Sequence, residues 1–114
     1  MVFDAKTMSM TLGGATILDA THPPIIKNRT IKANQGILAR GLVLAESVDG
    51  DVPYDPSGQT PPPPIGILPV EVDTTKETVG PALRHGTVVW ENVLVGSGAP
   101  DAADIKKLNT IGIY

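Results

Sequence analysis

The chain has 114 residues and a net charge of −3, with 12 glycines, 11 prolines, no cysteine, and only one Trp, two Tyr and one Phe. This length predicts a single domain with an aliphatic core, and so many glycines and prolines fit a turn-rich β fold. The missing cysteines exclude disulfides, thiolate metal sites and cysteine nucleophiles, and a mildly acidic chain without a Lys/Arg run is a poor binder of nucleic acid.

No apolar run approaches the ~20 residues that span a bilayer, so no membrane partner is expected. The N-terminus shows no basic region followed by an apolar block, and the expectation is a product made in the cytoplasm.

Met8, Met10 and Leu12 alternate with Ser9 and Thr11. Gly13-Gly14 follows, then Ala15 to Asp19. Two glycines between β-compatible runs predict a hairpin, with Thr11 opposite Thr16 and Met10 opposite Ile17. Such a hairpin either covers the core or serves as an arm that adds to another subunit's sheet. Thr21-His22-Pro23-Pro24 reads as a stiff, extended joint. Residues 1–24 are therefore expected to form an N-terminal arm, and residues 25–114 a β-rich body.

Ile25 to Lys32 is a candidate strand with poor alternation. Its cations Lys27, Arg29 and Lys32 form either a solvated face or a contact for an acidic surface. Ala33 to Gly36 is a turn. Ile37 to Leu44 is apolar on both faces, with Leu38, Leu42 and Leu44 on one side, which predicts a central or interfacial strand. Gly41 predicts a bend within it.

Glu46 to Pro64 reads as a loop, with turns at Asp49-Gly50 and Ser57-Gly58. The four prolines Pro61 to Pro64 make a rigid lead-in to the next strand. Gly66 to Asp73 is then read as one strand, with Leu68, Val70 and Val72 on its apolar face and Pro69 marking an edge. Residues 73–78 are polar and end that run. Arg84-His85-Gly86 supplies a turn, and a second strand runs from Gly86 towards Val95.

Pro100 suits the first position of a helix that ends near Asn109. Asp101 and Asp104 lie at its positive end, Lys106 and Lys107 at its negative end, and Ala102, Ile105 and Leu108 share a face. Thr110 to Tyr114 is expected as a last strand.

No catalytic set emerges. His22 precedes two prolines and His85 lies in a predicted turn, so both read as surface residues. Asp49, Asp51 and Asp55 lack the spacing and closing Glu of a calcium loop. Gly96-Ser97-Gly98 lacks the Gly-Lys pair of a phosphate loop and reads as a flexible lead-in. The expectation is a protein without cofactor, metal or small-molecule substrate, and not an enzyme.

One extended pattern remains. Gly66-Ile67-Leu68, then Val72-Asp73, a threonine-rich segment, Gly86-Thr87 and Glu91-Asn92-Val93-Leu94 together resemble the lambda-type head decoration proteins of tailed phages. Arg40-Gly41-Leu42-Val43-Leu44 extends the match upstream, and a short helix with an apolar C-terminal run extends it downstream. It spans roughly the C-terminal two-thirds of the chain.

The resemblance implies a compact β-tulip-like or small-barrel domain with an extended N-terminal arm. It implies a homotrimer on the outside of the expanded head, bound to the major capsid protein and cementing the virion. By the same analogy Met8, Ser9, Met10, Thr11, Leu12 and Ile17 would touch the capsid. The hairpin-like arm and its Pro-Pro joint depart from the family pattern. The alternative is a small β-barrel that binds a peptide or carbohydrate through the Glu46–Pro64 loop, where Tyr54 is the one aromatic. A small hydrolase using Asp and His has little in the sequence to build on.

Overall fold

A computed structural model describes residues 24–57 and 61–114 in full, and residues 11–12, 15–16 and 18–19 as backbone. The described chain is mainly β with one α-helix near the C-terminal end, as the sequence predicts. In chain order come β1 (Thr11–Leu12), β2 (Ala15–Thr16), β3 (Leu18–Asp19) and β4 (Ile25–Thr30). Then follow β5 (Ile37–Leu38), β6 (Val43–Ser47), β7 (Gly50–Pro53) and β8 (Pro64–Ile67). β9 (Val72–Asp73), β10 (Val79–His85), β11 (Thr87–Val88), a 3-10 turn at Trp90–Asn92 and helix α1 (Ala102–Thr110) complete the order.

Five antiparallel strands in the order β4-β10-β8-β6-β7 form the frame. Its two outer strands meet at one end. Ile31, just after β4, bridges Asp51 of β7 in parallel, and the Lys32 N–H donates to the Asp51 carbonyl at 3.1 Å. The sheet is thereby rolled towards a barrel, with a seam between β4 and β7.

Apolar residues fill both faces of this sheet. Val43, Ala45, Tyr54, Ile67, Leu83, Leu108 and Ile113 belong to one buried cluster. Ile31, Leu38, Leu42, Leu44, Leu68, Val72 and Ala82 belong to the other. β6 lies between β8 and β7, and its neighbouring residues Val43 and Leu44 enter opposite clusters. This is the central strand that two apolar faces predict.

The predicted run Ile37 to Leu44 is divided. Gly41 takes φ +86°, a turn separates β5 from β6, and Ile37 is exposed. The predicted strand Gly66 to Asp73 is divided too. β8 ends at Ile67, the chain bends at Pro69 and Val70, and β9 pairs with β5 instead. The apolar side was nevertheless read in the right phase, because Leu68 and Val72 share a cluster and Val70 packs on it.

The longest strand, β10, falls where the sequence suggested a polar connection and a turn. Gly80 and Pro81 hide it, because both residue types are depleted in strands. Gly80 is buried, and a Cβ there would stand 2.8 Å from Ile31 Cδ1. The loop from Glu46 hides β7, which folds back on β6 through the two-residue turn Val48-Asp49.

Helix α1 begins two positions later than expected, at Ala102 rather than Pro100. Asp101 is its N-cap: the Asp104 N–H donates to Asp101 Oδ1 at 2.8 Å, and the Asp101 N–H donates to Asp104 Oδ2 at 3.1 Å. This reciprocal box satisfies two end donors, so Pro100 lies outside the helix. Asp104 and Leu108 are its buried residues, and Ala102 is exposed. Residues 110–114 are not a strand. Thr110 ends the helix, Ile111 and Gly112 turn after it, and only Ile113 bridges Gly86. The second run is likewise shorter than predicted, since β11 has two residues and gives way to the 3-10 turn.

The hairpin pairing β1 to β2 sets Thr11 opposite Thr16, as expected. The predicted partners Met10 and Ile17 lie outside the described residues. β3 pairs with β11, with Leu18 opposite Val88 and Asp19 opposite Thr87.

Candidate functional site

The seam between β4 and β7 holds both salt bridges found among the described residues. Arg29 on β4 grips Asp51 on β7 with two bonds, Nε to Oδ2 at 2.9 Å and Nη2 to Oδ1 at 2.8 Å. Nη2 also reaches Glu46 Oε2 at 3.3 Å. The Asp51 side chain is 1% exposed and that of Glu46 is 66% exposed. A buried carboxylate needs such a partner, and the guanidinium fork matches its geometry. Hydrogen bonding from Asp51 outweighs desolvation and holds the Arg29 pKa above its ordinary value. Gln35 Nε2 donates to the Asp51 carbonyl at 3.1 Å and to the Lys32 carbonyl at 2.8 Å, which fixes the same corner.

These contacts settle two sequence readings. Arg29 leaves the proposed cationic cluster, because its charge is spent inside the seam. Asp51 is not free to join Asp49 and Asp55 around a cation. Asp55 instead accepts the Ser57 N–H at 2.9 Å and the Ser57 hydroxyl at 2.5 Å. The Ser57 hydroxyl and N–H hold its carboxyl below the usual range. Among the described residues, no three His, Asp or Glu side chains are grouped to hold a metal ion.

Above the closed end, β4 and the β6–β7 hairpin diverge. They leave an open, polar cleft of about 440 Å3 lined by residues 28–30 and 46–51. A second, smaller groove of about 280 Å3 lies between Pro61, Pro63 and Pro64 and the C-terminal end of α1, at Lys107, Thr110 and Ile111.

Tyr54 is not a recognition platform. It is 1% exposed and belongs to the core cluster under α1. Its hydroxyl accepts a bond from Lys107 Nζ at 3.1 Å. That bond holds the Lys107 pKa above its ordinary value. His85 ends β10 rather than lying in a turn, and its ring meets Tyr114 edge-on at 6.2 Å. His22 lies outside the described residues.

Of the residues predicted to touch a partner, Thr11 and Leu12 form β1. Met8, Ser9, Met10 and Ile17 lie outside the described residues. The words of the family pattern fall on the scaffold. Ile67 and Leu68 are fully buried, and a Cβ on Gly66 would stand 2.6 Å from the Leu83 carbonyl oxygen. In the threonine-rich connection, Thr74 donates to the Gly36 carbonyl at 2.6 Å and accepts the Gln35 N–H at 2.7 Å. Val93 is buried, and the Leu94 N–H donates to the Gly41 carbonyl at 2.8 Å.

A scan against protein-family models gives no match, and a search of curated proteins gives none either. The seam pair and the Tyr54–Lys107 bond were not predicted. The partners stand 22 and 53 positions apart, and no local pattern joins residues at such distances.

Proposed function

We propose that this protein is a capsid decoration protein, a cement that binds the outside of an expanded phage head as a trimer and stabilises it. The observation that carries the reading is where the family-like pattern lies. Gly66, Ile67, Leu68, Val72 and Val93 build both core layers and the close approach of β8 to β10. A pattern shared for scaffold reasons speaks for a shared body rather than a shared active site.

On this reading the major capsid protein is the partner, and the residues from Met8 to Leu12 together with Ile17 reach it. Strand addition would supply main-chain bonds, and methionine side chains would adapt to the partner's surface. A trimer touching several coat subunits gains through effective concentration, so each contact can be modest. No bond-making step is proposed. The burial of Tyr54 weighs against the alternative of a carbohydrate- or peptide-binding loop, because it removes that loop's one aromatic.

The test is to mix the purified chain with expanded, undecorated phage shells. Co-sedimentation at fixed stoichiometry, with shells that survive higher temperature, is expected. Shells that neither bind the chain nor gain heat resistance would contradict the reading.

A further inference from the structure

In the groove at the C-terminal end of α1, the rings of Pro61, Pro63 and Pro64 face Lys107, Thr110 and Ile111. Its walls are largely apolar. Ile111 is 37% exposed, and Thr110 spends its hydroxyl on the Lys106 carbonyl at 2.9 Å. Among the described residues, Lys107 is the one charged side chain that lines the groove. It gives one bond to the Tyr54 hydroxyl, and an ammonium has donors to spare. Neither salt bridge among the described residues includes Lys107. The acids of α1, Asp101 and Asp104, bond each other's N–H at the opposite end of the helix. A groove of this kind fits a bulky apolar side chain beside a carboxylate.

The chain carries that pair itself. Phe3 is its only phenylalanine, and the next residue, Asp4, is its only acid before Asp19. The topology leads this segment towards the groove. β3 pairs with one edge of β11, and the last residues hold the other edge. The Gly86 N–H donates to the Gly112 carbonyl at 2.9 Å, and the Val88 N–H donates to the Tyr114 carbonyl at 3.2 Å. Leu18 therefore lies two strand spacings, ~10 Å, from the run that follows Ile111. Residues 4–10 span ~23 Å when extended, so the segment has the length to cross from this corner to the groove.

We propose that the groove seats the first residues of the same chain, with the Phe3 ring between the prolines and Ile111 and the Asp4 carboxylate on Lys107. The segment that carries Met8 and Met10 is then tethered at both ends, at the groove and at β3. The seat stands whether or not that segment touches a capsid.

The experiment uses the full chain, labelled with 13C and 15N and mixed with an equal amount of unlabelled chain. Nuclear Overhauser contacts from the Phe3 ring to the Ile111 methyls and the Pro63 ring are expected within one chain. Asp4→Lys should abolish these contacts and shift the Lys107 and Thr110 amide resonances. Lys107→Glu added to Asp4→Lys should restore the contacts. Lys6→Glu, which reverses the other charge of the segment, should leave them in place. If Lys107→Glu disturbs the fold through Tyr54, the parent chain and the Asp4→Lys and Lys6→Glu variants still decide. No contact between Phe3 and the groove, contacts only between labelled and unlabelled chains, or equal losses from Asp4→Lys and Lys6→Glu would overturn the proposal.

Discussion

Arg29 and Asp51 join the two outermost strands of the central sheet by a bidentate pair that crosses 22 positions of sequence. Of the two carboxylates that Arg29 holds, Asp51 is nearly sealed from solvent and Glu46 is exposed, so losing the guanidinium and losing the outer acid are unequal. Arg29→Ala leaves Asp51 buried without a counter-charge and should cost roughly 3–5 kcal/mol. Glu46→Ala removes only an exposed, longer contact and should cost about 0–1 kcal/mol. Urea denaturation of the two variants checks the ranking.

Leu68 is fully buried in the cluster formed with Leu44 and Ala82. Leu68→Asp puts an unpaired charge there and should leave the chain unfolded at room temperature. Leu68→Ala should fold but lose about 2–5 kcal/mol through the cavity it opens. Circular dichroism melts separate the two outcomes, and a normal melt for Leu68→Asp would place this side chain at the surface.

Gly112 takes φ +97°, and a Cβ there would run into the His85 ring. Gly112→Ala therefore combines backbone strain with a clash, and a loss of about 1–3 kcal/mol is expected. Pairing it with His85→Ala should recover the steric part and leave the backbone part. A double-mutant cycle by chemical denaturation reads that recovery.

Among the described residues, the buried Thr87 hydroxyl has no hydrogen-bond partner. Thr87→Val keeps the shape and removes the orphan group, so the variant should be unchanged or more stable by about 1 kcal/mol. A lower melting temperature would mean that the hydroxyl has a partner in solution.

The β class, the two-sided burial of β6, the pairing of β1 with β2 and the helix were legible because each depends on local pattern. Alternation showed Val43 and Leu44 facing opposite ways, and Pro100 with the acids Asp101 and Asp104 marked the helix start to within two residues. β10 was not legible, because Gly80 and Pro81 serve close packing and an unbonded position at the expense of propensity. The seam was not legible either. Arg29 looked like a solvated cation, and Asp51 like part of a loop, until the fold brought them together. Tyr54 read as a loop aromatic for the same reason, since its burial depends on α1 arriving from far along the chain.

The central claim is that the chain cements coat subunits. Its most direct test is the thermal rupture temperature of expanded, undecorated shells with and without the purified chain, beside the same measurement on a chain lacking residues 1–19. Rupture should move to higher temperature with the full chain and much less with the shortened one. An identical rupture temperature in the presence of saturating full-length chain would contradict it.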